Sequence, residues 1–129
     1  MILETSFVID FLKNDKNAVS KMGSIVDSNE AFGIAAPVIF ELWTGLFAVE
    51  KPINELERIN FIIRNIPIYS LDDESAKKAG KINGELIRKG QKIDSEDCMI
   101  AGIAISNNQK VLTNDGHFKR IEGLKTEWY

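Results

Sequence analysis

The sequence predicts an α/β fold: a central, mostly parallel sheet of four to five short strands with helices on both faces. Two observations predict it. Apolar runs of strand length alternate with longer segments of helical periodicity. No repeat, low-complexity stretch or linker interrupts the 129 residues, so a single domain over 1–129 is expected.

The elements follow in order along the chain. Met1 to Leu3 is a short apolar strand, and Thr5-Ser6 open a helix reaching about Lys13. Asn14-Asp15-Lys16 is a turn, and Ala18 to about Ser28 reads as a second helix. Phe32 to Ala35 is a short buried strand. Pro37 suits the first turn of the next helix, where a missing N–H costs nothing. That helix runs to about Val49 and Pro52 stops it; another follows over about Ile53 to Arg64. Ile66 to Tyr69 is a third strand, and its Pro67 suggests a sheet edge or a strand start. Asp72 suits the N-cap of a long amphipathic helix ending before Gly90, and Asp94 the N-cap of the next, to about Asn107. Lys110 to Thr113 is a fourth strand, Asn114-Asp115-Gly116 a turn, and Lys125 to Trp128 a candidate fifth strand.

Composition narrows the function classes. The formal net charge is −3, which argues against holding nucleic acid by bulk positive charge alone. It does not exclude a nuclease, because bound divalent cations reverse the field where a phosphate sits. One cysteine, Cys98, permits neither an intramolecular disulfide nor a cysteine-based zinc site. No apolar run approaches the ~20 residues that span a bilayer, and Met1-Ile2-Leu3-Glu4 lacks a signal peptide's basic start. The expectation is a cytoplasmic protein without membrane contact.

Four carboxylates are the candidate site. In an open parallel sheet, ligands bind beyond the carboxyl ends of the strands. Glu4 directly follows the first strand, and Asp115 follows the fourth by two residues. Glu41 lies in the first turn or so of the helix after the second strand. It shares a strip with Pro37, Thr44, Gly45 and Ala48, which either admits a close neighbour or is simply a solvent face. Asp97 begins a helix whose next eight residues, Cys98 to Ile105, carry no charge. That helix should be buried on most sides, and a buried carboxylate costs several kcal/mol or more unless it is paired or binds a metal. The competing reading is a first-turn acid favoured by the helix dipole. Asp94 and Glu96 fit that second description better, as cap and exposed neighbour. Clustered carboxylates repel unless a cation lies between them. With no histidine or cysteine set to rival them, oxygen-only ligands select Mg²⁺ or Mn²⁺.

The same residues carry a resemblance. Met-Ile-Leu-Glu-Thr-Ser at 1–6, Pro37 with Glu41-Leu42, Asp94 to Ala101, and Leu112-Thr113-Asn114-Asp115 with Phe118 stand in the order of a PIN domain. The chain most resembles the short VapC-type toxins of toxin–antitoxin pairs, over nearly its whole length. The resemblance implies a PIN-like three-layer α/β/α fold and a Mg²⁺- or Mn²⁺-dependent endoribonuclease acting on RNA. It places the catalytic and metal-binding acids at Glu4, Glu41, Asp97 and Asp115, with Ser6 and Thr113 supporting them by hydrogen bonds. It further implies a homodimer and a cognate antitoxin whose tail enters the groove near the site. One position departs from the family: Glu4 stands where Asp is usual. Its carboxylate lies one carbon–carbon bond, ~1.5 Å, farther from the strand, and Mg²⁺ tolerates little misplacement. A weakened enzyme, or a PIN-like module that binds RNA or an antitoxin without catalysis, is therefore the alternative expectation.

Other residues point elsewhere. His117, beside Asp115, reads as a loop histidine for which a carboxylate site has no need, although proton transfer is conceivable. Cys98 reads as core. Lys77, Lys78, Lys81, Arg88, Lys89 and Lys92 read as a solvated helix face rather than a phosphate track. Phe40, Trp43 and Phe47 read as core, the alternative being that one of them lies in an antitoxin or dimer interface. A phosphoreceiver-like domain would need a well-placed lysine that the sequence does not offer.

Overall fold

The computed structural model describes residues 1–50 and 53–129, and at Ile53 and Glu55 the backbone alone. The elements are β1 (Ile2–Leu3), α1 (Thr5–Leu12), α2 (Lys16–Asp27), β2 (Gly33–Ala35), α3 (Ala36–Phe47) and α4 (Ile53–Asn65). They continue as β3 (Ile68–Tyr69), α5 (Asp73–Arg88), α6 (Ser95–Ser106), β4 (Val111–Leu112), a 3₁₀ turn (Gly116–Arg120) and β5 (Thr126–Glu127). Pro52, expected to stop α3, lies outside the described residues; α3 has already ended at Phe47.

The five strands pair in the order β3-β2-β1-β4-β5, every pair parallel. Leu3 stands opposite both Ile34 and Leu112. The order reverses at β1: one run of crossovers leaves it toward β3, the other side begins at β4. That reversal opens a crevice beyond the carboxyl ends of β1 and β4, where parallel sheets bind ligands. Pro67 precedes the edge strand β3, as its missing donor requires.

Helix ends follow the sequence closely. Asn14, Asn29 and Asn108 take positive φ just past α1, α2 and α6, and Gly90 does so past α5. Each closes its helix with a bond such as Asp15 N to Asp10 O, 2.9 Å, which satisfies a free carbonyl. Asp72 caps α5 in a reciprocal box with Ser75. Asp94 occupies the N-cap position of α6 but its side chain makes no capping bond.

The core confirms α6 as a buried helix: Cys98 and Ile100 to Ala104 are all buried. Gly102 explains how closely α5 approaches it. A Cβ there would lie 2.5 Å from Ser75 O and 2.8 Å from Ala79 N, both backbone atoms that cannot swing away. We expect Gly102→Ala to destabilise the chain by about 2 kcal/mol, because overpacking outweighs the ~1 kcal/mol gain in helix propensity. The midpoint of urea unfolding measures this, and a variant as stable as the parent would refute the close contact.

Helix α3 departs from expectation. Its buried line is Val38, Leu42 and Leu46. Phe40 and Phe47 lie across from that line and are 59% and 64% exposed, so they are not core. Trp43 is half-buried and packs against the core. The basic stretch forms a solvated face: Lys77, Lys78 and Lys81 make exposed i,i+4 pairs with Asp73, Glu74 and Glu85.

Candidate active site

Glu4 leaves the end of β1 and caps α1. Its Oε1 accepts the Ser6 backbone N–H at 3.0 Å. Its Oε2 accepts the Ser6 hydroxyl and, at 3.0 Å, the Thr113 hydroxyl from the end of β4. Both supporting hydroxyls thus meet the same carboxylate, which is only 5% exposed. The longer arm of Glu4 reaches this set of donors from its place at the strand end.

Thr113 also serves Asp115. Its Oγ1 accepts the Asp115 N–H at 2.9 Å, and Asp115 Oδ1 in turn accepts the His117 N–H at 2.8 Å. The expected turn at Asn114 to Gly116 is therefore the capped entry to a 3₁₀ helix. The capping leaves Asp115 Oδ2 toward His117 Nδ1, 3.5 Å away.

Glu41 is half-buried on α3, facing α1. Thr5 donates its hydroxyl to Glu41 Oε2 at 2.5 Å. Thr5 was not legible as a site residue; its only signal was adjacency to Ser6. The small-residue strip is partly filled: α1 supplies Thr5, but nothing comes within 4 Å of a Cβ at Gly45.

Asp97 is buried at 6% exposure on the first turn of α6. Its helix immediately precedes β4 and returns antiparallel to it, so the α6 N-terminus rises at the same edge as Asp115. Asp97 Oδ2 lies 3.9 Å from His117 Nδ1. Burial pushes its carboxyl up from 3.8 to about 7, and the charges of Asp115, Glu4, Glu41 and Asp94 add to the rise. Burial likewise raises the Glu41 carboxyl; the Thr5 bond opposes this, and Glu4, Glu96 and Asp94 reinforce it. The charges acting on Asp97 and Glu41 link the four acids, although among the described residues only Asp97, Asp115 and His117 offer donor atoms within 4.8 Å of one another. Those charges also draw in Asp94 and Glu96, the second half-buried rather than the exposed neighbour expected.

Among the described residues, no lysine or arginine forms an ion pair with any of the four acids, and His117 is the one basic side chain within 4 Å of two of them. Asp97, Asp115 and His117 offer one donor atom each, all within 4.8 Å of one another. A carboxyl raised first by burial and then by its acidic neighbours, without a lysine or arginine counter-charge among the described residues, belongs to a donor set that fits a divalent cation. Cys98 takes no part: it is buried, and desolvation lifts its thiol to about 11.

Tyr129 was also missed. Its ring packs edge-on to Phe7, centroids 4.8 Å apart, and its hydroxyl donates to Asp10 at 2.9 Å. It braces α1, the helix that carries Thr5 and Ser6.

The PIN domain profile matches residues 1–124. The tRNA(fMet)-specific endonuclease VapC of Shigella flexneri is 29% identical over 127 residues, covering 98% of this chain and 95% of that protein. A structure of VapBC2 from Rickettsia felis, bound to a DNA fragment from its promoter, superposes with a TM-score of 0.88 at 24% identity, covering 99% of this chain and 97% of that one. DNA-bound VapBC from Salmonella typhimurium superposes at 0.85 with 26% identity, covering 98% and 96%.

Proposed function

Because the chain belongs to the PIN domain family, we propose that it is a divalent-metal-dependent endoribonuclease of the VapC type, the toxin half of a toxin–antitoxin pair. The observation that carries the reading is the donor group of Asp97, Asp115 and His117, with Asp97 buried and, among the described residues, no lysine or arginine paired to it.

The proposed roles follow from the surroundings of each acid. Asp97 and Asp115 would hold the cation, Mg²⁺ or Mn²⁺, with Glu4 and Glu41 completing the acidic shell. When bound, such an ion lowers the pKa of water and neutralises charge developing on a phosphoryl group. Glu41 has one oxygen engaged by Thr5 and the other without that bond. Its raised pKa suits it to accept the proton of the attacking water as an ester P–O bond breaks. Ser6 and Thr113 hold the Glu4 carboxylate in one orientation, and Thr113 ties Asp115 to the same point.

The partners proposed are RNA, a cognate antitoxin and a second copy of the chain. A groove beside Glu41, lined by Ile9, Leu12, Leu42, Leu46 and Ile59, supports an antitoxin segment ending near the acids. The exposed Phe40 and Phe47 on α3 support self-association. Among the described residues, no helix is long and apolar enough to cross a membrane.

The deciding experiment is RNA cleavage by the purified chain, with initiator tRNA as first substrate because the Shigella relative is named for it. Cutting that needs Mg²⁺ or Mn²⁺ and stops with a chelator is expected. Absence of cutting by both the parent and Glu4→Asp, in either ion, would overturn the reading. Glu4 in place of Asp favours the second reading, a binding module without catalysis. Divalent binding without cleavage in either chain would establish it.

A further inference from the structure

We infer that His117 is a direct donor to the cation alongside Asp97 and Asp115, so that in this chain one imidazole nitrogen joins the carboxylate oxygens. The inference rests on the metal-centre reading above and adds a ligand to it.

The geometry points there. His117 Nδ1 stands 3.5 Å from Asp115 Oδ2 and 3.9 Å from Asp97 Oδ2. Both separations exceed the 2.7–3.2 Å range of an N–H···O hydrogen bond, so the ring bonds directly to neither acid. Two donors on one octahedral ion with bonds of ~2.1 Å lie about 3.0 Å apart when adjacent and about 4.2 Å apart when opposed. The two separations lie between those adjacent and opposed distances, so side-chain shifts of under about 1 Å would bring the imidazole and either carboxylate onto one ion; all three donor atoms lie within 4.8 Å of one another.

The placement is built by the backbone. Asp115 caps the 3₁₀ turn through Oδ1 and the His117 N–H, which turns Oδ2 to the imidazole side. Glu4 contributes to the need for another donor. Its two oxygens already accept three bonds, from the Ser6 N–H, the Ser6 hydroxyl and the Thr113 hydroxyl. The ring is 45% exposed, so its other nitrogen can remain in water while Nδ1 binds.

An imidazole changes which ion the site prefers. Oxygen donors suit Mg²⁺, while a nitrogen donor raises affinity for transition ions relative to it. The site should therefore favour Mn²⁺ over Mg²⁺ more strongly than four carboxylates alone would.

The test uses the full chain stripped of metal and titrated with Mn²⁺ or Mg²⁺ by calorimetry, with pulsed electron paramagnetic resonance on the Mn²⁺ form. The parent should show nitrogen hyperfine coupling that His117→Ala and His117→Gln lose. Their Mn²⁺ affinity should fall about tenfold or more, with a smaller change for Mg²⁺. Mn²⁺ binding that depends on Asp97 but shows no nitrogen coupling in the parent would overturn the role of His117 and leave the metal centre standing. Failure of the parent to bind Mn²⁺, or binding that Asp97→Asn leaves unchanged, would overturn the metal centre itself.

Discussion

Replacing Asp97 with Asn is expected to abolish RNA cleavage while raising the melting temperature of the metal-free chain at pH 8. The loss of activity should be at least about 10²-fold, the scale on which misplaced reacting groups alone act. The gain in stability comes from the same burial that makes the residue useful. The folded chain binds the Asp97 proton more tightly than the unfolded chain, since its pKa rises from 3.8 to about 7. Stability from this group is therefore fully present below about pH 4 and lost as pH climbs through about 7. Above that point the ionised carboxylate opposes folding, on the order of a few kcal/mol. Asn removes the charge and keeps the shape. Thermal melts in chelator should thus show the variant ahead at pH 8 and level with the parent at pH 4. Saturating Mg²⁺ should stabilise the parent alone. A variant that melts at or below the parent at pH 8 in chelator would contradict the buried, uncompensated carboxylate.

Thr113→Val should have the second largest effect, and in the opposite direction on stability. The side chain is wholly buried, and valine preserves its volume. What disappears is a hydroxyl that donates to Glu4 and accepts from the Asp115 N–H. A carboxylate loses one of its buried donors and a backbone donor loses its partner, together costing about 3 kcal/mol. Two acids lose their common anchor, so cleavage should fall by about 10²-fold. Thr113→Ser restores the hydroxyl and should recover most of both. If valine and serine behave alike, packing rather than hydrogen bonding is what Thr113 supplies.

Much of this site was legible because connectivity fixes it. Glu4 and Asp115 follow apolar strands by one or two residues, and a parallel sheet sends both to one edge. Asp97 was harder, since no strand directly precedes its helix. The strand that follows was the better guide: a helix packed on a parallel sheet runs back against its next strand, so α6 must start where β4 ends. Ser6 and Thr113 came from family likeness alone, and both meet Glu4. Thr5, by contrast, bonds a residue 36 positions away, and no local pattern announces such a partner. The misplacement of Phe40 and Phe47 has a different cause. Helix α3 is apolar on nearly every side, so its periodicity lacks the contrast that marks an inner face. His117 carries no sequence signal of its own, because exposed loop histidines are ordinary; the 3₁₀ turn gives it its bearing on Asp97 and Asp115.

The bond from Thr113 to Glu4 joins residues 109 positions apart. The helices can form from local contacts, whereas this bond must close nearly the whole chain on itself, at the entropic cost of a long loop. Cation binding then reports on folding as much as on catalysis. In a refolding experiment the helical signal should rise first, and competence to bind Mn²⁺ should arrive only with the last phase, when the two ends of the chain have met. A full-length copy that has not yet finished folding would accordingly carry every carboxylate of the site and yet hold no cation. Nuclease activity would be withheld until the fold is complete.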